Sequence, residues 1–556
     1  MTIEAGQERR TRAYAWLPWL ALALAWFATA QVRPLFDPDE GRYAEIPREM
    51  LLSGDWVTPR LDGLKYFEKP PLQYWATATI YRVVGVHEWS SRLWTVGLAF
   101  ACLGAVYGWT RRLHGRDAAR SALVALAVSP FFLVVGHLDL LDPGFTLWLT
   151  AAVLAFTLAQ SAPQHSDAER RWMMAAWGAG ALAILTKGIV VGVLTLGALI
   201  IYSLLERDAR PWRRLHPGAG LPLFLVLAAP WFAVVSLRNP GFAQFFFVHE
   251  HFTRFLTTVH QRVEPWWYFL PLLLAGTLPW IVPLARALRP AWTGAGIASG
   301  PPDQRPASAF KPCKFLLIYA LFTLVFFSFS DSKLAPYILP MFPVLAAVTG
   351  AQAAGDARFT QRAAWIGAVL VAFVGLGLLV YSALHNSYVP HEASVWVLAG
   401  TVAAAGGLAA LLPGLRAHAR GAAGVTAVSA ILAWQCLLCA YGVIPPSHSA
   451  RDLVAAVRPY VGPQTRLYSI GQYRETVSPY LGRTLTLVAY EGELQFGLNA
   501  EPGRQTATPQ QFAAAWDASR DAVAFFDPGM WDDWRRRGLP GRVVAADSYT
   551  VAVSRW

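Results

Sequence analysis

Charged residues are scarce in this chain of 556 residues. They make up 15% of the sequence, whereas 55% of the residues are hydrophobic, and soluble domains carry about 25% charged residues. This shortage excludes a soluble globular protein over most of the length. It predicts an α-helical protein that crosses a membrane many times.

Lysine and cysteine are also rare. Of 47 basic residues only six are lysines, and a compact point charge at so few positions suits contact with an anion. The cysteines lie in or beside apolar stretches without the spacing of metal ligands in a polar loop, which argues against disulfides and a cysteine-bound metal. The lysines are Lys65, Lys69, Lys187, Lys311, Lys314 and Lys333, and the cysteines are Cys102, Cys313, Cys436 and Cys439.

Two further features are missing. No small-residue cleavage site accompanies the first apolar stretch, so we expect a retained first helix and not a signal peptide. Internal repeats and an ion pair near the membrane midplane, which are typical of transporters, are not found in the sequence. A transporter or a lipid-binding membrane protein is therefore the weaker alternative to an enzyme.

Apolar stretches recur along residues 1–445. A spanning helix needs about 17–25 residues, and the pattern predicts about 13 spans. Arginines before span 1 and after spans 2 and 6, with a basic run between spans 8 and 9, place the N-terminus in the cytoplasm. The spans fall near 14–31, 93–110, 121–137, 141–159, 172–186, 188–205, 219–237, 267–285, 315–329, 336–351, 363–381, 393–412 and 422–443.

With this orientation, residues 32–92 form a long periplasmic loop. Two segments of it, Tyr43–Leu52 and Leu72–Val84, have helical patterns, and the second follows Pro70 and Pro71, which suit a helix start. We expect both to be amphipathic helices on the membrane surface.

From about residue 446 the composition becomes that of a soluble domain, also periplasmic. Thr508-Pro509-Gln510-Gln511 is typical of a capping box at a helix start. We predict a small α/β domain over 446–556, and the lack of a chemical motif favours a lid or scaffold. Strands are predicted at 465–470, 484–489, 521–526 and 541–553, and helices at 451–460, 508–519 and 529–537.

Acids and bases occur in separate segments that this topology brings to one membrane face. An unpaired charge costs several kcal/mol in lipid, so a shared polar cavity explains them best. The candidates are Asp37, Asp39, Glu40, Arg42, Glu68, Lys69, Asp139, Asp142, Lys187, His249, Glu250, His251, Arg254, His260, Arg262, Asp331 and Lys333.

These candidates also have structural alternatives. Asp37 or Asp39 could cap the helix that begins near residue 40, and Asp142 could cap span 4. Lys187 and Lys333 could extend to lipid headgroups.

The histidines leave a metal site open. His249 and His251 do not have the spacing of a helical zinc pair, and a lone histidine is more often structural. Glu68 is the carboxylate that could complete a zinc or magnesium site with them.

Several of these residues lie in motifs. The motifs are residues 39–50 (DEGRYAEIPREM), 54–56 (GDW), 66–71 (YFEKPP), 185–188 (LTKG) and 329–340 (FSDSKLAPYILP). They resemble the bacterial aminoarabinose transferases of lipid A. Those enzymes belong with the protein O-mannosyltransferases among the GT-C glycosyltransferases.

The resemblance covers roughly residues 14–350 and is most specific in the first loop. It implies transfer of 4-amino-4-deoxy-L-arabinose from undecaprenyl phosphate to a lipid A phosphate at the periplasmic face of the inner membrane. Resistance to polymyxin and other cationic peptides is expected with this activity. Asp39 matches the family's catalytic carboxylate and Asp142 its second acid, and Glu40 is a further catalytic candidate.

The leaving group of such a donor is a phosphate monoester, which cations stabilise. An acceptor phosphate needs little deprotonation, so Asp39 could orient the acceptor or bind the sugar's ammonium group as well as act as a base. Attack opposite the lipid phosphate inverts the anomeric centre. The candidate ligands of the donor phosphate are Arg42, Tyr43, Lys69, Lys187, Arg254 and Lys333.

The alternative enzyme is a protein O-mannosyltransferase, which needs a true base for a serine or threonine hydroxyl. No cofactor is required by either reaction, with a divalent metal at Glu68, His249 and His251 left open. The expected partners are the donor lipid, lipid A and membrane lipids. We expect no nucleic acid and a monomer.

Overall fold

Helices dominate the computed structural model, which describes residues 17–253, 264–294, 310–353, 357–385, 390–416, 419–441, 448–490 and 492–555. The α-helices are Leu17–Phe27, Asp39–Ser53, Leu72–Val84, Glu88–His114, Arg116–Ala127, Pro130–Gly136, Leu141–Ser161, Asp167–Lys187, Val190–Glu206, Arg210–Arg213, Pro217–Arg238, Phe269–Thr277, Ile281–Thr293, Pro312–Ser328, Met341–Ala353, Ala357–His385, Pro390–Ala410, Pro413–Arg416, Ala419–Tyr441, Arg451–Val457, Val477–Leu481, Gln495–Ala500, Pro509–Ala518 and Pro528–Arg536. A π-helix covers Gln244–Thr253, and 3₁₀ turns cover Ala335–Ile338 and Arg458–Tyr460.

The apolar helices agree with the predicted spans. In the described ranges each predicted stretch coincides with one apolar helix or with a pair of helices. Among the described residues, six helices are long and apolar enough to cross a membrane, or up to eight when each bent pair is one span. The multi-pass membrane architecture is therefore confirmed, whereas the number of 13 spans stays a prediction.

Two predicted spans are sharply bent pairs of helices. The helices on either side of residues 128–129 are bent by 65°, and those on either side of residues 278–280 by 106°. Ser129 and Leu278, which precede Pro130 and Pro279, have extended backbone angles. A proline disfavours the helical conformation in the residue before it, so each span breaks at that point.

The helix Asp39–Ser53, called the first-loop helix below, has acidic residues in its first turn and ends at Gly54. Gly54 has φ 71° and donates its N–H to the carbonyl of Met50, which closes the helix. Residues 40–50 are all buried. The helix is therefore covered by protein, and its sides do not lie on a membrane surface as expected.

The helix Leu72–Val84 has the bounds that the sequence predicts. Its buried side includes Tyr74, Ala78 and Tyr81, spaced as one face of a helix, and Val83 on the other side is 78% exposed. Between the two loop helices, β1 (Arg60–Leu61) and β2 (Leu64–Lys65) form a short antiparallel hairpin.

The C-terminal domain, predicted over 446–556 and called the soluble domain below, contains a six-stranded sheet. The order of its strands is β5-β4-β3-β6-β8-β7. β3 is parallel to β4 and β6, β4 is parallel to β5, and β8 is antiparallel to β6 and β7. The strands are β3 (Arg466–Ile470), β4 (Thr486–Val488), β5 (Thr506–Ala507), β6 (Ala522–Phe526), β7 (Arg542–Ala546) and β8 (Val551–Ser554).

The sheet packs on both faces. Side chains alternate along a strand, so Val523 and Phe525 join the large core that includes the first-loop helix, while Ala524 and Phe526 join a separate core with Trp516. The domain therefore packs against the first loop through a shared apolar core.

The first-loop helix approaches this domain closely. A Cβ at Gly41 would lie 2.6 Å from the backbone carbonyl carbon of Glu475, so a larger residue would separate the two backbones.

The predicted strand 541–553 is instead a hairpin, β7 and β8. Asp547 accepts hydrogen bonds from the backbone N–H groups of Tyr549 and Thr550 at 2.9 and 2.8 Å, and such an Asp side chain stabilises a turn. The prediction also lacked β5 and the short helices Val477–Leu481 and Gln495–Ala500. The capping box at Thr508 and Gln511 is confirmed.

Candidate active site

The carboxylate of Glu40 is buried among hydrogen-bond donors. Arg33 Nη1 lies 2.9 Å from Oε2, and Arg92 donates from Nε at 2.9 Å and from Nη2 at 2.8 Å. The backbone N–H groups of Phe36 and Asp139 bond the same carboxylate at 3.0 and 2.9 Å. Burial opposes ionisation, but the two guanidiniums outweigh it and lower the pKa of Glu40 to about 2.

These contacts join four parts of the chain. Arg92 also donates to the carbonyls of Ala30, Arg33 and Pro34, and Arg33 donates to that of His137. Glu40 therefore holds the exit of the first apolar helix, the first-loop helix, the helix Glu88–His114 and the turn before Leu141 in one arrangement.

Asp39 precedes Glu40 but has a different environment. Its side chain is 44% exposed, and its Oδ1 accepts a hydrogen bond from Arg42 Nη1 at 3.0 Å. The N-cap residue of the first-loop helix is Pro38, without a side-chain cap, so Asp39 does not cap this helix. Its carboxylate is both accessible and oriented.

Arg42 connects Asp39 to the soluble domain. Its guanidinium is buried, forms a second ion pair with Glu493, and lies over the rings of Tyr43 and Tyr66 at 5.9 and 5.8 Å. Asp39, Arg42 and Glu493 thus form a row of alternating charges that connects the first loop to the soluble domain.

Glu493 and the neighbouring Glu475 share this interior. Burial raises the pKa of both carboxyls, against the opposing charge of Arg42. The charge of Glu493 adds to the rise at Glu475, and that of Glu68 adds to the rise at Glu493. Sequence reasoning missed both residues, because nothing near position 475 or 493 indicates a partner more than 430 residues away.

Tyrosines form one wall beside Arg42. The rings of Tyr43 and Tyr74 are stacked with centroids 6.2 Å apart, and the hydroxyls of Tyr66 and Tyr74 are buried without a hydrogen-bond partner. Burial raises the pKa of Tyr43 and Tyr66, so these groups stay neutral donors. Tyr66 lies in the motif at 66–71, but its sequence context alone does not indicate a site residue.

Lys69 belongs to the same region and has acidic neighbours. Its Nζ lies 2.9 Å from the carbonyl oxygen of Glu68 and 3.4 Å from Glu250 Oε2. The charge of Glu68 acts on Tyr66 and Glu493, so this segment borders the group around Arg42. The predicted phosphate ligand Arg254 and the polar candidates His260 and Arg262 lie outside the described residues.

Asp142 and Lys187 form an ion pair of their own. The Lys187 Nζ lies over the rings of Phe145 and Tyr337 at 5.5 and 4.9 Å. The N-cap residue of the helix Leu141–Ser161 is Leu140, without a side-chain cap, so Asp142 does not act as a cap.

Two other candidates have local or interdomain roles. Lys333 is buried and donates to the carbonyl of Ser330 at 2.6 Å. Asp37 accepts from the Thr476 N–H and from Arg474 Nε, both at 2.8 Å, so it ties the first loop to the soluble domain.

No group of three His, Cys, Asp or Glu side chains able to hold a metal occurs in the part of the chain that the structure describes. His249 Nδ1 lies 3.5 Å from Glu250 Oε1, and the side chain of His251 is outside that part. A metal at Glu68, His249 and His251 stays a prediction.

The environment of Glu40 predicts a structural role that Asp39 does not share. Glu40→Gln leaves two buried guanidiniums without their counter-charge, and we expect a loss of about 3–5 kcal/mol in stability. Asp39→Asn, which breaks a half-exposed pair, should cost less than about 1 kcal/mol. Thermal unfolding of both variants in detergent measures this difference, and equal melting temperatures would contradict it.

Family models match two parts of the chain. Residues 20–252 match the dolichyl-phosphate-mannose-protein mannosyltransferase family, and residues 453–555 match the aminoarabinose transferase C-terminal domain. The first match contains Asp39, Lys69 and Asp142, and the second contains Glu475 and Glu493.

Relatives that match are undecaprenyl phosphate-α-4-amino-4-deoxy-L-arabinose arabinosyl transferases. That of Aeromonas hydrophila is 34% identical over 366 residues, and the aligned region spans 64% of this chain and 64% of that protein. That of Pectobacterium carotovorum is 30% identical over 550 residues, or 95% of this chain and 92% of that protein.

Solved structures agree over the full fold. The crystal structure of ArnT from Cupriavidus metallidurans bound to undecaprenyl phosphate superposes with a TM-score of 0.87 at 32% identity, covering 98% of both chains. The apo form of that protein gives a TM-score of 0.85. This chain is 30% identical to the Pectobacterium carotovorum relative across 95% of the chain's own length. It therefore belongs to the undecaprenyl phosphate-α-4-amino-4-deoxy-L-arabinose arabinosyl transferase family.

Proposed function

We propose that this protein transfers 4-amino-4-deoxy-L-arabinose from undecaprenyl phosphate to a phosphate of lipid A. The reaction takes place at the periplasmic face of the bacterial inner membrane, where the first loop and the soluble domain lie. The observation that carries the proposal is the half-exposed Asp39, held by Arg42 within a region that also contains Lys69. Family membership supports the choice of donor and sugar.

In the transfer step, an oxygen of the acceptor phosphate attacks the anomeric carbon of the sugar. The bond from that carbon to the lipid phosphate breaks, its electron pair stays on undecaprenyl phosphate, and the anomeric centre inverts. The negative charge that develops on the leaving phosphate needs nearby cations. We assign this role to Lys69 and Arg254, with Lys187 and Lys333 as further phosphate contacts.

Arg42 has a different part in this scheme. Its two terminal nitrogens face Asp39 and Glu493, so it positions Asp39 more than it binds the leaving phosphate. Asp39 then orients the acceptor or binds the ammonium group of the sugar. Asp142 is the second acid, paired with Lys187, and Glu40 is a positioning residue. The cations supply the charge stabilisation, so the reaction requires no cofactor.

Removal of the Asp39 carboxylate should abolish transfer without unfolding the protein. Asp39→Asn keeps the shape of the side chain and loses only its charge. We expect at least a hundredfold loss of transfer in an assay with purified enzyme, donor lipid and lipid A. The control is Asp55→Asn, since Asp55 lies in the same loop and accepts from two backbone N–H groups that an amide oxygen also serves. Activity of Asp39→Asn close to that of the control would refute the assignment.

Lys69 and Arg254 should hold the phosphate of the donor. Each charge-assisted contact contributes about 1.5–3 kcal/mol, so Lys69→Ala and Arg254→Ala should each weaken undecaprenyl phosphate binding on the order of ten- to a hundredfold. Lys65→Ala is the control, since its charge acts on Glu501 in the soluble domain. Equal binding by all variants would move the phosphate site to Lys187 and Lys333.

The acceptor distinguishes this reaction from protein O-mannosylation, which the match over residues 20–252 keeps as the alternative. We expect sugar on phosphorylated lipid A, none on its dephosphorylated form, and none on periplasmic proteins. One assay that offers the three acceptors with the same donor measures this by mass spectrometry. Sugar on serine or threonine would replace the proposal with the alternative.

A further inference from the structure

Three buried carboxyls lie between the first-loop helix and the soluble domain, away from Asp39 and Lys69. They belong to Glu45 and Glu49 on the helix and to Asp62 in the turn of the β1–β2 hairpin, and each is at most 8% exposed. We call this group the acidic junction.

The acidic junction joins the two parts through direct bonds. Asp62 Oδ1 accepts from the backbone N–H of Leu485 at 2.7 Å and from Ser478 Oγ at 3.3 Å, both in the soluble domain. Glu49 Oε2 accepts from the backbone N–H of Gly63 at 2.9 Å. The hairpin therefore links the helix to the segment 478–485.

One guanidinium faces these carboxyls, that of Arg48. It binds Glu45 in a bidentate pair at 2.7 and 2.5 Å and donates to the carbonyl of Gly482 at 3.0 Å. If all three carboxyls were ionised, the buried group would carry a net charge of −2. Such a charge in a protein interior is strongly unfavourable.

Two carboxylate oxygens of the group, Glu49 Oε1 and Asp62 Oδ2, are buried without a hydrogen-bond partner. Tyr473, a buried residue of the soluble domain, also faces the group, and burial together with the charges of the three carboxyls raises the pKa of its hydroxyl. Tyr81, from the helix Leu72–Val84, also faces Glu45 and Arg48. An acid that keeps its proton fits these surroundings.

We infer that the acidic junction is a proton-dependent latch, which holds the soluble domain on the first-loop helix while Asp62 and Glu49 are protonated and releases it when they ionise. Burial and the charge of Glu45 raise the pKa of Asp62 from its ordinary 3.8 to about 8, and burial with the same charge raises that of Glu49.

The raised pKa values of Asp62 and Glu49 set the direction of the pH dependence of docking. The docked state binds the protons more tightly than the released state, so docking is strongest at acidic pH. The free-energy advantage of docking decreases as the pH rises above 3.8, the ordinary pKa of Asp62. It is lost as the pH passes about 8, the raised pKa of Asp62.

Release has a consequence for the site, because the same domain carries Glu493, the partner of Arg42. Transfer should therefore fall at alkaline pH. This consequence rests on the proposed function, whereas docking itself does not.

Hydrogen–deuterium exchange of the full protein in detergent tests the latch directly. After correction for the intrinsic exchange rate, protection of the amides of Leu485 and Gly63 should fall between roughly pH 6 and pH 8, about tenfold per pH unit for each proton that release removes, and therefore up to about a hundredfold when both acids ionise. In the double variant Asp62→Asn, Glu49→Gln, the protection should be high and independent of pH. Asn suits the left-handed φ of 54° at position 62 and keeps an oxygen for Leu485.

Glu501→Gln is the matched control. Glu501 also links the hairpin to the soluble domain, through Arg60 at 2.8 and 3.1 Å, but its pKa is lowered despite burial, by that arginine. Its variant should keep the alkaline loss of protection. Protection that is constant with pH in the unmodified protein, or equally pH-dependent in the double variant, would overturn the inference. Activity measured separately would show whether the proposed function fails instead.

Discussion

The ion pairs of Glu40 with Arg33 and Arg92 are the interaction on which the site depends. A guanidinium buried among apolar helices is tolerated only with a counter-charge and hydrogen bonds, and Glu40 gives both to two of them. Because the same carboxylate binds the backbone of Phe36 and Asp139, it also fixes where the first loop starts. Asp39 is the residue next to Glu40. The contacts of Glu40 therefore set the position of Asp39 relative to the helix bundle, and Glu40 itself need not react.

The soluble domain packs against the first loop and contributes to the site. Its sheet shares an apolar core with the first-loop helix. Its polar groups contact Asp37, just before that helix, and Gly41, Arg42 and Arg48 on the helix. The sequence favoured a lid or scaffold here, because the domain has no motif. The ion pair between Arg42 and Glu493 adds a function to that scaffold, since the orientation of Asp39 depends on it.

Periodicity and composition predict most of the fold, because they report local preferences. The helix Leu72–Val84 and the capping box at Thr508 depend on neighbouring residues alone. The breaks before Pro130 and Pro279 were predictable in the same way but were not predicted. The motifs contain Asp39, Lys69 and Lys187, whereas Asp142 was selected as an acid at the start of span 4. Glu493 was not predictable, because its ion pair with Arg42 arises only when two distant segments pack together.

Pairing of opposite charges explains how so cationic a site can exist before a substrate arrives. Arg42, Lys69 and Lys187 each have a carboxylate nearby, from Glu493, Glu250 and Asp142, which offsets the cost of desolvating them. A phosphate that binds must compete with these acids or share their cations. Its affinity is then lower than bare cations would give. For a transferase this is useful, because the product phosphate carries more charge than the donor ester and must still dissociate.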